Sequence, residues 1–232
     1  MGYPPCALKS KVRLKRALLS CYDKTGLEKL ATVLSKEAHI ELIASGGTAK
    51  HLKNAGLTVT PVERITNFPE MPGGLVKTLH PKIHAAILAE ITTSGELTEK
   101  INPEQLQFLE IHNINPIDLV VCTLYPFAET VKKQSSIEVC RAQIDIGGPA
   151  QIRAAAKNYP RVAVLTNPDQ YDHFLRQIEK QDWCTTFEQR IELAKQAFQA
   201  IAEYECQIAK FMENLNQNLN RSKQFYLIEK KK

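Results

Sequence analysis

The sequence lacks the features that mark several classes of protein. No run of about 18 apolar residues occurs in its 232 residues, so no transmembrane helix is expected. The basic N-terminus is not followed by the apolar core of a signal peptide. None of the six cysteines forms a Cys-x-x-Cys pair, and several lie in apolar runs, as Cys122 does. This pattern is typical of reduced thiols rather than a disulfide or zinc framework, and it predicts a cytoplasmic protein.

Positive charge is concentrated at the two ends of the chain. The formal net charge is +5, yet residues 1–16 contain five Lys or Arg and no acid, and residues 214–232 are also net basic. Basic arms that bind nucleic acid are one interpretation. We favour solubilising tails or the stub of a linker. We therefore predict a basic arm over 1–16, a folded domain over 17–213 and a polar, loosely ordered tail over 214–232, with no nucleic acid and no membrane as partners.

Apolar runs alternate with patterns typical of amphipathic helices. The predicted strands are 17–21, 40–44, 57–62, 117–124 and 162–165. Helical patterns stand between them and continue over 185–213. The alternation predicts an α/β fold with a parallel, doubly wound sheet flanked by helices and with a helical C-terminal extension.

Polar, glycine-containing loops follow most of the predicted strands. They are 23–26, 45–48, 73–82 and 144–149. Because the carboxyl ends of parallel strands meet at one edge of a sheet, we expect these loops to converge there and to bind a ligand.

Two of these loops have distinct chemistry. In Ser45-Gly46-Gly47-Thr48, hydroxyls and the free N–H groups of a helix start suit a phosphate, and an ordinary helix cap is the alternative. In 73–82, a glycine pair permits a tight turn and Pro81 disfavours helix at His80. Lys77 and Thr78 lie between them, which suits an anionic or polar molecule. A solvated turn is the alternative for that stretch.

Seven short motifs occur in order along the chain. They are Asp-Lys-Thr-Gly (23–26), Ala-Ser-Gly-Gly-Thr-Ala-Lys (44–50), Phe-Pro-Glu-Met (68–71), Val-Lys-Thr-Leu-His-Pro (76–81), Leu-Tyr-Pro-Phe (124–127), Ile-Asp-Ile-Gly-Gly (144–148) and Arg-Ala-Ala-Ala-Lys-Asn (153–158). Together they resemble the IMP cyclohydrolase domain, the N-terminal half of a bifunctional purine-biosynthesis enzyme. The resemblance runs from about residue 17 to 213.

The resemblance implies a fold, a reaction and a set of site residues. The fold is that of methylglyoxal synthase (MGS-like), and the reaction is dehydrating ring closure of a formylated aminoimidazole carboxamide ribonucleotide to IMP, by a homodimer without metal or organic cofactor. The implied catalytic residues are Lys157, Lys77, Tyr125 and Asp145. The implied substrate-binding residues are Tyr22, Asp23, Lys24, Ser45, Gly46, Gly47, Thr48, Leu75, Val76, Thr78, Cys122, Thr123, Ile146 and Gly147.

Three of the implied catalytic residues have a purely structural role as the alternative. From the residues alone, Asp145 could cap the helix that follows it, and Lys157 could complement the dipole at the end of that helix. Tyr125 could be a buried residue that covers the end of the sheet.

Three positions depart from the family pattern. Leu75, Thr123 and Tyr22 stand where the family usually has Arg, Asn and Ser. Losing Arg removes a bidentate donor, and losing Asn removes an amide able to bind a carboxamide. We therefore expect a cyclohydrolase with weakened or shifted substrate preference.

Two rival functions follow from the same residues. One is a methylglyoxal synthase-like lyase, in which the loop 45–48 would hold a triose phosphate. The other is a non-catalytic nucleotide-binding or regulatory module, which the three departures favour. The chain ends near the point where the formyltransferase half of a bifunctional enzyme begins, so we also expect no formyl transfer from it, whether it is a cut piece or a natural single-domain protein.

Overall fold

A computed structural model describes residues 11–72, 74–76, 78–90 and 103–229, with side chains up to residue 217. Its strands are β1 (Val12–Arg13), β2 (Arg16–Cys21), β3 (Glu41–Ala44), β4 (Thr60–Pro61), β5 (Leu119–Thr123), β6 (Ala163–Leu165) and β7 (Cys184–Thr185). Within the described ranges, five strands form a parallel sheet in the order β4-β3-β2-β5-β6, and β1 pairs with β7 antiparallel. The predicted α/β fold with a parallel sheet is confirmed.

Helices fill the connections between the strands. They are α1 (Leu27–Thr32), which continues into a π-helical turn (Val33–Glu37), α2 (Gly46–Asn54), α3 (Val62–Thr66), α4 (Pro81–Leu88), α5 (Pro103–Ile111), α6 (Phe127–Lys132), α7 (Ile137–Ala142), α8 (Gly147–Lys157), a 3₁₀ turn (Pro168–Gln170), α9 (Tyr171–Glu179) and α10 (Phe187–Glu229). Throughout the described part of the chain, no helix is both long enough and apolar enough to span a membrane.

Within the described residues, the structure adds two short strands that were not predicted, β1 and β7, and it differs from two of the predicted segments. The strand predicted over 57–62 shortens to β4, because the Leu57 N–H donates to the Leu52 carbonyl at the end of α2 and a helix starts at Val62. Pro61 has no N–H to donate to a further strand, which suits β4 to the edge of the sheet. The segment 214–229, predicted to be loose, continues α10 as helix. Its sequence contains no Gly or Pro that would end a helix. The boundaries at 16 and 213 remain predictions.

Both faces of the sheet are covered, as its apolar strands require. Every residue of β5 is buried. On one face, Cys21 joins a buried cluster that includes Leu30 of α1 and Tyr171 of α9. On the other face, Cys122 meets α8 through Gln151, whose Nε2 lies 2.9 Å from the Cys122 Sγ. Near-continuous apolar strands of this kind are typical of a parallel sheet buried between helix layers.

A buried ion pair fastens the amino edge of the sheet. Asp118, which is 1% exposed, accepts hydrogen bonds from Arg161 Nη1 at 2.9 Å and from the backbone N–H groups of Lys15 and Arg16. Arg161 also donates to the carbonyls of Ala86 and Ile87 near the end of α4. Burial raises the pKa of Asp118, whereas Arg161 and the two N–H groups lower it. The network therefore fixes β2, β5 and α4 at the edge opposite the predicted loops.

The chain divides into two compact units. The first comprises Met1–Leu124 and Asp145–Phe198, and it contains the sheet; the second comprises Tyr125–Ile144 and Gln199–Lys232. In the second unit, the ring centroid of Phe127 lies 6.3 Å from that of Tyr204 and 5.5 Å from that of Phe211. The Tyr204 hydroxyl donates to the carbonyl of Gln143 at 2.8 Å. This unit is therefore held by its own aromatic core.

Candidate functional site

The start of α2 has the features of an oxyanion site. Ser45 is the N-cap residue and is 3% exposed, and its buried Oγ has no hydrogen-bond partner among the described residues. Gly46 has φ of 49°, a left-handed conformation that favours glycine. A Cβ on Gly47 would meet no atom within 4 Å, so a ligand has room to approach the backbone there. The unsatisfied N–H groups of a helix start and the helix dipole both favour an anion at this point.

The hydroxyl of Thr48 is engaged within the protein. It accepts a hydrogen bond from the Cys21 N–H at 3.0 Å and donates to the Cys21 carbonyl at 3.1 Å. Thr48 therefore fastens α2 to the end of β2. Its hydroxyl is hydrogen-bonded within the protein, whereas that of Ser45 has no partner among the described residues.

The loop after β2 presents one anion and one cation. Asp23 accepts a hydrogen bond from the Thr25 N–H at 2.8 Å, which lowers the pKa of its carboxyl and keeps it ionised at neutral pH. Lys24 Nζ donates to the carbonyls of Cys21 at 3.3 Å and Tyr22 at 3.2 Å, which accounts for two of its three N–H donors. An ionised carboxylate suits hydroxyl donors and repels phosphate, whereas the ammonium attracts phosphate.

The end of β5 holds this loop from the other side. The Thr123 hydroxyl accepts from the Asp23 N–H at 2.9 Å and donates to the Asp23 carbonyl at 3.3 Å. The Tyr22 N–H donates to the Thr123 carbonyl at 3.1 Å. Cys122 is buried, and burial raises the pKa of its thiol, so this side chain is a neutral packing group beneath the site.

The start of α8 brings two of the predicted loops together. Asp145 Oδ1 accepts a hydrogen bond from the Gly148 N–H at 2.8 Å, so Asp145 does bind the first turn of that helix. A Cβ on Gly148 would fall against Asp145 Oδ2 and would lie 2.7 Å from Leu124 Cδ2. A Cβ on Gly147 would lie 3.7 Å from Thr78 Oγ1. Asp145 and buried Thr78 are thus neighbours of the same glycine pair.

The loop before α4 exposes apolar side chains. Leu75 is 66% exposed and Val76 is also exposed, as is Ile146 before α8. His80 ends the loop as the N-cap of α4, because its Nδ1 accepts from the Lys82 N–H at 3.2 Å. Gly73 and Lys77 lie outside the described residues.

Lys157 does not join this group. Lys157 is the exposed last residue of α8, and the 11 residues of that helix place it about 15 Å from the helix start, so the structure does not bring it to Asp145. Tyr125 is the first residue of the second unit.

Sequence reasoning missed two side chains next to the site. Tyr171, buried at the start of α9, has its Cδ2 3.6 Å from where a Cβ of Gly26 would lie and its Oη 3.9 Å from Cys21 Sγ. Gln151 contacts Cys122 as described above. Nothing local in the sequence marks Tyr171, because its partners lie about 150 residues away along the chain.

Two protein-family models match this chain. The MGS-like domain model matches residues 26–150, more than half of the chain, and the AICARFT/IMPCHase bienzyme model matches residues 155–232. The chain belongs to the MGS-like domain family. The resemblance to the IMP cyclohydrolase domain, predicted from the seven motifs, is confirmed by these matches and by the relatives below.

Relatives of this MGS-like chain include two proteins named "Bifunctional purine biosynthesis protein PurH". The one from Cutibacterium acnes is 50% identical over 196 residues, which is 84% of this chain and 36% of that protein. The one from Mycobacterium ulcerans is 44% identical over 201 residues, 87% of this chain and 36% of that protein. The chain thus spans about a third of these relatives' length. A solved structure titled "Crystal structure of ForH" has a TM-score of 0.68 and 29% identity, covering 86% of this chain and 99% of that one.

Proposed function

We propose that this chain is an IMP cyclohydrolase of de novo purine biosynthesis, a hydrolase-class enzyme acting on a cyclic amidine C–N bond. The observation that supports this most is that Ser45 has a hydroxyl without a described partner at the start of α2, and that Asp145 and Thr78 both lie beside the glycine pair of α8, in a chain similar to PurH proteins. The substrate is the formylated aminoimidazole carboxamide ribonucleotide.

The phosphate and the ribose would occupy the half of the site near α2. The unpartnered Ser45 hydroxyl, the N–H groups of Gly46 to Thr48 and the ammonium of Lys24 would bind the phosphate. The ionised carboxylate of Asp23 would accept from ribose hydroxyls.

Ring closure would take place in the half near α8. The carboxamide nitrogen adds to the formyl carbon and transfers one proton to the formyl oxygen, which then leaves as water with the proton of the formamide N–H. Asp145 would accept a hydrogen bond from the attacking nitrogen, and Thr78 together with Lys77 would stabilise the charge that develops on the oxygen. Proton transfer by Tyr125 and by Lys157 rests on the family resemblance. For Lys157 the length of α8 argues against a direct contact with Asp145 in the same chain.

The experiment is to mix the chain with the formylated ribonucleotide and follow IMP formation by ultraviolet absorbance. We expect turnover in the wild type, a fall in kcat on the order of 100-fold or more in Asp145→Asn, and a raised KM in Ser45→Ala. Asp172→Asn, which removes an exposed carboxylate paired with Lys29, is the control and should behave as the wild type. Unchanged turnover in Lys157→Ala would remove that residue from the proposed catalytic set.

Two other outcomes would contradict the proposal. Tight binding of the ribonucleotide without conversion would support the regulatory module instead, and absence of binding would show that the ribonucleotide is not a ligand of this chain.

A homodimer and a cytoplasmic location belong to the same proposal. Sedimentation of the purified chain tests the homodimer, and fractionation of the source cells tests the location.

A further inference from the structure

We propose that Thr123 is a positioning residue, whose hydroxyl acts on the loop that carries Asp23 and not on the substrate. This inference rests on the proposed function. The Thr123 hydroxyl lies 2.9 Å from the Asp23 nitrogen and 3.3 Å from the Asp23 oxygen, as acceptor and donor respectively. A hydroxyl has a single proton. With that proton given to the Asp23 carbonyl, Thr123 has none to donate to a ligand.

Thr48 makes the same pair of hydrogen bonds on the other side of Tyr22. Its hydroxyl accepts from the Cys21 N–H and donates to the Cys21 carbonyl. The backbone on either side of Tyr22 is therefore held by one threonine from α2 and one from β5. Tyr22 itself is 50% exposed, and its N–H donates to the Thr123 carbonyl. The loop is fixed at three successive residues.

These contacts connect the two halves of the proposed site. Thr48 ties the loop to the helix that would bind the phosphate, and Thr123 ties it to β5. The next residue, Leu124, packs where a Cβ of Gly148 would lie, beside Asp145. The Thr123–Asp23 contact thus fixes the position of the Asp23 carboxylate relative to the half of the site near α8, where ring closure would take place. Losing it should weaken ribonucleotide binding, while the anion-suited start of α2 remains in place.

The test compares Thr123→Val, which removes the hydroxyl, with Thr123→Ser, which keeps it. We expect KM for the formylated ribonucleotide to rise about tenfold in Thr123→Val, as for the loss of one net hydrogen bond, with a smaller change in kcat, and to recover in Thr123→Ser. Thr60→Val removes a hydroxyl that donates to Glu41 at the edge strand, and it controls for loss of a threonine hydroxyl as such.

A second measurement makes the test independent of catalysis. Hydrogen exchange of the Asp23 amide in the full chain should speed up in Thr123→Val and stay slow in Thr123→Ser. A raised KM with unchanged Asp23 exchange would mean that Thr123 contacts the substrate, and would overturn the inference. Unchanged KM and unchanged exchange would overturn it too. If the wild type forms no IMP, the proposed function fails, and the exchange data still decide the role of Thr123.

Discussion

Gly148 offers a direct test of how the start of α8 is packed. Replacing it by Ala adds a Cβ that would fall against Asp145 Oδ2 and lie 2.7 Å from Leu124 Cδ2. An ordinary contact needs about 3.4 Å, so Leu124 would have to recede by about 0.7 Å while Asp145 also moves. The substitution therefore displaces the carboxylate that we place at the reacting end of the site.

The expected magnitude has two parts. Forcing an extra methyl into packed surroundings costs about 1–3 kcal/mol of unfolding free energy. Displacing Asp145 strains its 2.8 Å hydrogen bond from the Gly148 N–H, and a misplacement of about 1 Å in a reacting group can lower kcat on the order of 100-fold. Urea unfolding measures the first effect, and initial rates of IMP formation measure the second.

The neighbouring glycine serves as the steric control. A Cβ on Gly147 would meet nothing closer than Thr78 Oγ1 at 3.7 Å, so Gly147→Ala should unfold at nearly the wild-type urea concentration. The close packing of Asp145, Gly148 and Leu124 would be refuted if both variants unfolded at the same urea concentration and Gly148→Ala kept the wild-type kcat.

Two further predictions concern stability. Asp118→Asn leaves the buried guanidinium of Arg161 without its carboxylate, so it should lower the free energy of unfolding in urea by about 3–5 kcal/mol. Asp172→Asn at the surface should change that free energy little. Similar unfolding curves for both variants would contradict the buried ion pair. Burial lowers the pKa of His84 below its usual 6.5, so protonation favours the unfolded chain. The stability that neutral His84 contributes is present above about pH 6.5 and is lost as pH falls through its lowered pKa. Melting temperatures between pH 7 and 5 should therefore fall less in His84→Leu than in the wild type or in exposed His173→Leu, and parallel losses would contradict the burial effect.

Much of the fold could be predicted because its signals are local. Apolar runs such as 17–21 and 117–124 became β2 and β5 within a residue or two, since buried parallel strands need near-continuous apolar sequence. The strand predicted over 57–62 was too long, because Leu57 is bonded to the end of α2 and a helix starts at Val62. The separation of Lys157 from Asp145 could also be predicted from the sequence: a helix that follows Asp145 and ends near Lys157 rises by 1.5 Å per residue away from Asp145.

The sequence by itself determined that hydroxyls, glycines and charges follow the strands, and the seven motifs were enough to identify the family. Only the tertiary structure decided which of those hydroxyls are engaged within the protein. Ser45 and Thr48 are similar in sequence, yet Ser45 Oγ has no partner among the described residues, whereas the Thr48 hydroxyl is bonded to Cys21. Thr123 binds Asp23, 100 residues away. The physical reason is that a hydroxyl bonds to whatever the fold places within about 3 Å of it, and sequence spacing does not record that distance.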